Sequence, residues 1–186
     1  MKRLFDLTLL FVSLPFLCLV FVTIVIAIRI NTSGPIFFWS ERVGQNNHIF
    51  KMPKFCTMRM DTPLIATHLL ENPDHWVTPV GSFLRKTSLD ELPQVWNILL
   101  GEMSFVGPRP ALFNQYDLVK LRTSSNVHRL VPGLTGLAQT RGRDELPIED
   151  KVQLDRQYLE GQSLLLDVKI ILLTLFKVLK RDGDSH

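Results

Sequence analysis

The sequence predicts an α+β fold that is rich in helix, has few short strands and begins with a membrane segment. Three observations support this prediction. An apolar run covers residues 4–28, several later stretches carry helix caps or helical composition, and a short β-prone stretch precedes a turn. With 186 residues, 46% of them hydrophobic, the chain is long enough for one domain with its own core. Disordered and collagen-like chains are excluded.

The apolar run at residues 4–28 contains one formal charge, Asp6. About 20 apolar residues are enough to cross a bilayer, so this segment is expected to enter lipid. It lacks the small-residue cleavage site of a signal peptide, and we therefore expect it to be retained. Lys2 and Arg3 precede the run and Arg29 follows it. Because basic residues favour the cytoplasmic side, these flanks indicate that both ends stay there.

Pro15, near the middle of the run, is a natural point for a kink. It removes a backbone donor and opposes the preceding helical turn, and the Ser13 hydroxyl can bond a carbonyl left free there. These observations leave two topologies equally open, a re-entrant helical hairpin and a straight or kinked spanning helix.

The chain after the membrane run shows no repeat and no flexible linker, so we expect one domain. Residues 36–40 form a β-prone stretch, and a hairpin is predicted through 44–47 into 48–52. The proline-rich region 61–79 is expected to be a loop with one short helix at 64–70.

The helix with the clearest sequence signals begins near Ser88 and ends at Gly101, a suitable C-terminal stop. Its start has two alternative registers. Ser88 and Glu91 would form a capping box, or Asp90 would be the cap with Pro93 in the first turn. In both registers Asp90 and Glu91 lie at the helix N-terminus.

Two further helices are predicted near the C-terminus. The first covers residues 149–160 and ends at Gly161. The second covers 164–179 and is unusually apolar. At about 16 residues it is short for a membrane span. An interfacial amphipathic helix and a buried core helix explain it equally well.

Composition and motifs exclude several functional classes. The formal net charge of +3 is weak for a nucleic-acid binder, and the basic residues are dispersed. Two cysteines cannot build a disulfide framework and suit a reducing compartment. The sequence has no zinc-hydrolase, phosphate-loop or dinucleotide motif. Its five histidines are not spaced in the pattern of metal ligands, so we expect them to be structural or solvated.

The charged motifs that are left suit phosphate chemistry. A carboxylate such as Asp90 is stabilised at a helix N-terminus, where the same amides can receive a phosphate oxygen. Asp90 and Glu91 together would repel a diphosphate, which implies Mg²⁺ as a bridging cation. Arginines such as Arg109 can neutralise the remaining charge. The alternatives are ordinary helix capping for the acidic pair and a turn role for Arg109.

Six motifs then appear in a specific order: KRLFD at 2–6, KFCTM at 54–58, TSLDELPQ at 87–94, MSFVGPRP at 103–110, PGLTG at 132–136 and LDVK at 166–169. These motifs are spread over nearly the whole length of the chain. On these motifs the sequence resembles the bacterial sugar transferases that act as monotopic polyprenyl-phosphate phosphoglycosyl transferases.

The resemblance implies an enzyme that moves a sugar 1-phosphate from a UDP-sugar to undecaprenyl phosphate and releases UMP. The transfer would pass through a covalent aspartyl phosphosugar, as the first membrane step of glycoconjugate assembly. It implies that Asp90 is the nucleophile and that Glu91 binds Mg²⁺. The implied substrate-binding or supporting residues are Lys54, Arg85, Arg109, Arg143 and Asp167.

The resemblance also implies a topology. Residues 1–30 would be a re-entrant helix-break-helix in the lipid of the inner membrane, with the break at Pro15 and Ser13. Residues 31–186 would be a catalytic domain on the cytoplasmic face, with interfacial amphipathic helices. A homodimer is compatible with it. Two positions depart from the family pattern, because Cys56 stands where members often carry a basic residue, and Leu14, not serine, precedes the proline.

Two other readings compete with the covalent transferase. In a direct transfer, the lipid phosphate attacks the nucleotide sugar and Asp90 only helps to bind metal. Alternatively, the protein is a catalytically silent membrane scaffold for glycan assembly enzymes. The complete Asp90 and Glu91 pair argues against the scaffold.

Overall fold

The computed structural model describes residues 1–59, 61–62, 76–142 and 146–180, with no account of the side chains of 179 and 180. The helix-rich α+β prediction is confirmed. The helices are α1 Lys2–Asn31, α2 Pro79–Lys86, α3 Val95–Leu100, α4 Tyr116–Ser124, α5 Leu137–Arg141, α6 Ile148–Glu160 and α7 Leu164–Lys180. The strands are β1 Phe37–Val43, β2 Ile49–Phe55, β3 Ser104–Val106, β4 Ala111–Leu112 and β5 Gly133–Thr135.

Helix α1 is continuous over 30 residues and contains Pro15 and Ser13. The break at Pro15 and Ser13 stays a prediction. A proline inside a helix removes one hydrogen bond and can kink the helix without ending it. By length and composition α1 could cross a membrane, and no other helix in the described residues meets the same criteria. Many of its apolar side chains are exposed, Phe11 and Phe16 among them.

The predicted hairpin is confirmed, with longer strands than expected. Strand β1 lies between β2 and β4, and its antiparallel pairing with β4 places Arg42 opposite Leu112. The Gly44 amide donates to the His48 carbonyl at 2.7 Å and closes the turn between β1 and β2. Asn46 takes a positive φ of 53° within it, a conformation that asparagine tolerates better than most residues.

A second, two-stranded sheet was not predicted. Strand β3 pairs in parallel with β5, with Ser104 opposite Gly133 and Val106 opposite Thr135. Each strand has three residues. Such short segments carry too little of the period-two pattern to be recognised as strands.

The helix predictions have mixed outcomes. Helices α6 and α7 match the predicted segments to within one residue at each end. The predicted helix from Ser88 instead begins as a 3₁₀ segment, Leu89–Gln94, that continues into α3 and ends at Gly101 with φ 87°. Helix α2 was missed, although Thr78 before Pro79 is a recognisable cap and first helical residue. The predicted helix at 64–70 lies outside the described residues.

The chain divides into two compact units. The first comprises Met1–Val12, Ser40–Met52 and Gln94–His186. Its cores include a cluster centred on Val106, Tyr158 and Ile170.

The second unit comprises Ser13–Trp39 and Pro53–Pro93. Its core contains Ile24 and Ile28 of α1 with Phe55 of β2 and Leu84 of α2. The division into a membrane segment at 1–30 and a catalytic domain at 31–186 stays a prediction.

Candidate active site

Asp90 and Glu91 lie side by side in the 3₁₀ segment Leu89–Gln94. Leu89 and Leu92, three residues apart, pack against the core of the second unit. Because a 3₁₀ helix has about three residues per turn, this pair faces the core while the acidic residues between them point elsewhere. Local packing therefore presents both carboxylates from one short segment.

The register in which Asp90 is the helix cap is not formed, and Ser88 has an unusual backbone conformation. Ser88 takes φ 55°, in the left-handed region, whereas an N-cap residue is usually extended. Its carbonyl accepts a hydrogen bond of 3.3 Å from the Glu91 amide. Asp90 lies inside the 3₁₀ segment and is not its cap. Pro93 is accommodated in the same segment, where its missing donor matters little.

Lys54 of β2 places its ammonium group against this acidic pair. Its Nζ lies 2.7 Å from Glu91 Oε1 and 3.8 Å from Asp90 Oδ2. The three side chains are largely buried, so the charges interact more strongly than they would in bulk water. Strand alternation explains the placement, because Phe55 enters the core and its neighbour Lys54 points to the other face.

Arg85 belongs to the same unit and is held by α2. Its Nε donates to the Thr57 hydroxyl at 2.9 Å. Thr78 caps α2 by accepting from the Gly81 amide at 2.9 Å. A Cβ atom at Gly81 would overlap the carbonyl of Thr57, so only glycine allows α2 to approach the 57 backbone this closely.

Cys56, the position that departs from the family pattern, directs its Sγ toward the Met58 carbonyl at 3.7 Å. Arg59 is the nearest basic residue in the following sequence. Its Nε pairs with Asp61 Oδ1 at 3.2 Å, in an ion pair whose two side chains are both exposed.

Arg109 lies in the first unit, in a loop that follows β3. We call residues 107–110 the GPRP loop. The Gly107 amide donates to the Thr135 carbonyl at 2.8 Å, and the Gly133 amide donates to the Pro108 carbonyl at 2.9 Å. A Cβ at Gly133 would overlap the Gly107 amide. Two motifs that were read separately in the sequence, at 103–110 and at 132–136, thus form one packed structure.

Arg122 of α4 contacts the GPRP loop from another side. Its Nη1 donates to the Arg109 carbonyl at 2.8 Å, and its Nη2 and Nε donate to Asp155 Oδ2 at 2.7 and 3.0 Å. Burial raises the pKa of Asp155 above its usual value, although Arg122 acts in the opposite direction. Neither residue was predicted from the sequence, because no spacing motif links position 122 to 155.

Asp167 of α7 is buried, with 1% of the residue exposed. Its Oδ2 accepts from Lys2 Nζ at 2.7 Å and its Oδ1 accepts from the Tyr158 hydroxyl at 2.6 Å. Burial, followed by the bond to Asp167, raises the pKa of Tyr158 far above its usual value. Both carboxylate oxygens are thus bonded within the protein, which suits a supporting role and disfavours direct contact with substrate.

The first turns of α1 carry further polar anchors that the sequence analysis did not identify. Asp6 accepts from the Ser104 hydroxyl at 3.0 Å and from the Phe105 amide at 3.2 Å. Arg3 donates to the carbonyls of Ile98 and Leu99 at the end of α3. The motif at 2–6 therefore fixes the start of α1 to β3 and α3.

The structure brings together Lys54, Asp90 and Glu91 among the predicted site residues. Arg85 lies in the same unit, whereas Arg109 and Asp167 belong to the first unit. Arg143 lies outside the described residues. Within the described ranges, no group of three or more histidine, cysteine or acidic side chains gathers as a ready-made metal cage.

Comparison with known proteins places these features in a family. The sequence model of the family described as bacterial sugar transferase matches residues 1–181. The protein belongs to this family, as the order of its motifs predicted.

Three relatives illustrate the match. The galactosyl transferase CpsE of Streptococcus agalactiae serotype III (strain NEM316) is 40% identical over 196 residues, covering 98% of this chain and 43% of CpsE. The uncharacterized sugar transferase EpsL of Bacillus subtilis (strain 168) is 37% identical, covering 98% of this chain and 89% of EpsL. The UDP-glucose:undecaprenyl-phosphate glucose-1-phosphate transferase of Escherichia coli (strain K12) is 37% identical, covering 95% of this chain and 40% of that enzyme. The chain thus spans less than half of two relatives and most of the third.

Proposed function

We propose that this protein transfers a sugar 1-phosphate from a UDP-sugar to undecaprenyl phosphate, giving undecaprenyl-diphosphate-sugar and UMP. Family membership supports the proposal, as does the name of the Escherichia coli relative, which specifies a UDP-sugar donor and undecaprenyl phosphate as acceptor. The observation that carries it is the cluster of Asp90, Glu91 and Lys54, because it joins a carboxylate nucleophile to a cation suited to phosphate.

In the first half-reaction, Asp90 is the nucleophile. A carboxylate oxygen of Asp90 attacks the phosphorus that bears the sugar, and a new oxygen–phosphorus bond forms. The bond from this phosphorus to the bridging oxygen of the diphosphate breaks, and UMP leaves with that oxygen. The enzyme then holds a phosphosugar as an aspartyl ester.

In the second half-reaction, a phosphate oxygen of undecaprenyl phosphate attacks the same phosphorus. The ester bond to Asp90 breaks, its carboxylate is regenerated, and the diphosphate-linked lipid sugar is released. Splitting the transfer in this way lets a soluble donor and a lipid acceptor react in turn at one side chain.

Cationic side chains balance the charge of the phosphates. Lys54 stands within 4 Å of both carboxylates and is placed to contact a phosphate oxygen near Asp90. Arg85, Arg109 and Arg143 are the proposed partners of the remaining phosphate and uridine oxygens, since a guanidinium can bind phosphate with two parallel hydrogen bonds.

The acidic pair also fits Mg²⁺, with Glu91 as the protein ligand. Mg²⁺ is usually held by one or two carboxylates together with substrate phosphates and water, so a larger cage of side chains is not required. When bound, the ion would neutralise charge on the diphosphate and favour departure of UMP. Lys54 Nζ, 2.7 Å from Glu91 Oε1, then competes with the ion for that oxygen.

We further propose that α1 re-enters the cytoplasmic leaflet of the inner membrane and does not span it. Near its start, Lys2 bonds Asp167. Near its end, Ile28 packs with Phe55 and Leu84. The basic residues that flank the apolar run, Lys2 and Arg3 before it and Arg29 after it, support the proposal, because basic residues favour the cytoplasmic side.

The exposed face of α7 supports contact of this helix with a membrane surface. Leu165, Leu172 and Phe176 are all exposed and recur at helical spacing. Asp167 and Ile170 are buried on the opposite face. A helix with one exposed apolar face is suited to lie in the headgroup region.

The experiment that tests the proposed function is UMP release by purified protein with undecaprenyl phosphate, Mg²⁺ and a panel of UDP-sugars. We expect release with at least one sugar, dependent on the lipid for continued turnover. Asp90→Asn should lose at least about a thousandfold in rate, as expected for loss of a nucleophile. Asp61→Asn, which alters an exposed aspartate of the same unit, is the matched control and should keep full activity. If folded wild-type protein released no UMP with any sugar of the panel, the proposal would be contradicted. The alternative of a catalytically silent membrane scaffold would then be favoured.

A further inference from the structure

Arg122 of α4 bridges a buried carboxylate and the loop that carries Arg109. Two of its nitrogens donate to Asp155 and a third donates to the Arg109 carbonyl. The side chains of Arg122 and Asp155 are only 11% and 2% exposed. A guanidinium has a rigid planar fork, so fixing one edge against Asp155 also fixes the direction of the donor that reaches the loop.

The GPRP loop depends on donors that other segments supply. Pro108 and Pro110 have no backbone N–H, so their peptides can be fixed only through carbonyl acceptors. The Pro108 carbonyl accepts from Gly133, and the Pro110 carbonyl accepts from Arg42 Nη1 at 3.3 Å. Between these two points, the Arg109 carbonyl accepts from Arg122.

We propose that Arg122 is a positioning residue that sets the place of Arg109 for phosphate binding, and that Asp155 fixes Arg122 for this task. The inference rests on the proposed function, because it takes Arg109 to bind substrate phosphate. It adds to that function two residues, from α4 and α6, that no sequence motif pointed to.

The charge and burial of the pair favour positioning over direct binding. Asp155 compensates the charge of Arg122, and little of the Arg122 side chain reaches solvent. A buried ion pair is weak evidence for stability, because desolvation opposes the attraction between its charges. The raised pKa of Asp155 is consistent with that desolvation. What the ion pair with Asp155 provides is a fixed position for Arg122, whose Nη1 donates to the Arg109 carbonyl.

The test begins with Arg122→Lys. A lysine keeps the charge beside Asp155, but its single ammonium group lacks the fork that contacts Asp155 and the Arg109 carbonyl together. We expect KM for the UDP-sugar to rise about tenfold, since small displacements of a binding group weaken function strongly. Arg156→Lys is the matched control. Arg156 also pairs with a carboxylate, Glu160 of the same helix, but both side chains of that pair are exposed, so the KM of Arg156→Lys should not change.

A double-mutant cycle separates positioning from general stability. If Arg122 acts through Arg109, Arg122→Lys should have little further effect on KM in an Arg109→Ala background. Equal effects of Arg122→Lys in the presence and absence of Arg109 would overturn the proposal. So would an unchanged KM in Arg122→Lys. If Arg122→Lys does not fold, Asp155→Asn is the second variant. Its effect on KM should likewise depend on the presence of Arg109.

Amide hydrogen exchange gives a readout that does not depend on activity. Exchange at the amides of residues 107, 109, 111 and 112 should accelerate in Arg122→Lys and not in Arg156→Lys. Unchanged exchange would contradict the positioning role. If wild-type protein were inactive with every UDP-sugar while exchange still responded, the proposed function would fail and the link between Arg122 and the loop would stand.

Discussion

Lys54 Nζ lies 2.7 Å from Glu91 Oε1, closer than to Asp90 Oδ2 at 3.8 Å. The lysine thus pairs more tightly with the proposed metal ligand than with the proposed nucleophile. Two adjacent carboxylates repel each other, and the ammonium group compensates them in the absence of substrate. Its displacement from Glu91 would accompany binding of a divalent cation.

Lys54→Met tests this competition. Removal of the ammonium should lower the Mg²⁺ concentration that gives half-maximal activity, because a competing cation is lost. It should also reduce kcat/KM at least about tenfold, because a cation near the phosphates is lost as well. Both quantities come from initial rates of UMP release across a Mg²⁺ titration.

The matched control for Lys54→Met is Arg59→Met, which removes a cation from an exposed pair in the same unit. It should leave both quantities near their wild-type values. A higher Mg²⁺ requirement in Lys54→Met would show that the lysine assists the ion and does not compete with it.

Glu91→Gln should weaken Mg²⁺ dependence and rate together. The amide keeps the volume of the side chain but loses the charge that binds a hard cation. We expect the half-saturating Mg²⁺ concentration to rise about tenfold and wild-type activity to stop in EDTA. Full wild-type activity in EDTA would contradict the assignment of Glu91 as a Mg²⁺ ligand and the need for the ion.

Tyr158 should keep its phenolic proton in the folded protein. It is 1% exposed, and burial followed by the bond to Asp167 raises its pKa. In a Tyr116→Phe background, ultraviolet titration of the folded protein should therefore show no phenolate forming near pH 10, where an unperturbed tyrosine ionises. Because folded Tyr158 keeps a proton that the unfolded chain loses, the free energy of unfolding should fall as pH rises above about 10. A phenolate step near pH 10 in folded Tyr116→Phe protein would contradict the buried bond to Asp167.

The topology of α1 can be tested by cysteine labelling. With Cys18 and Cys56 replaced, single cysteines are introduced just before Lys2 and at Ser33. A membrane-impermeant maleimide applied to inside-out vesicles should label both positions, and applied to intact spheroplasts it should label neither. Labelling of the two positions from opposite sides would contradict re-entry and show that α1 spans the membrane.

Local signals in the sequence predicted much of the fold. Helix α6 ends at Gly161 as its stop signal indicated, and α7 follows its continuous apolar composition. The turn after β1 was also recognisable from its glycine and asparagines. These features succeed because the residues that determine them are neighbours in the chain.

Contacts between distant residues could not be predicted in this way. Lys2 bonds Asp167 across 165 positions, and Arg122 bonds Asp155 across 33. Neither pair has a spacing that marks it in the sequence. Lys54 belonged to a charged motif that suited phosphate chemistry, but only the family resemblance linked it to Asp90, since nothing local connects a strand residue to that position.

The proposed reaction requires that Asp90 becomes covalently linked to a phosphosugar. Intact-protein mass spectrometry tests this link directly, with the protein incubated with the UDP-sugar that supports UMP release and with undecaprenyl phosphate left out. We expect a mass gain of one sugar phosphate, mapped to Asp90, with a matching burst of UMP, and loss of the adduct once undecaprenyl phosphate is added. Asp90→Asn should gain no mass. UMP release that strictly requires the lipid, with no adduct on wild-type protein, would contradict the covalent mechanism and establish direct transfer.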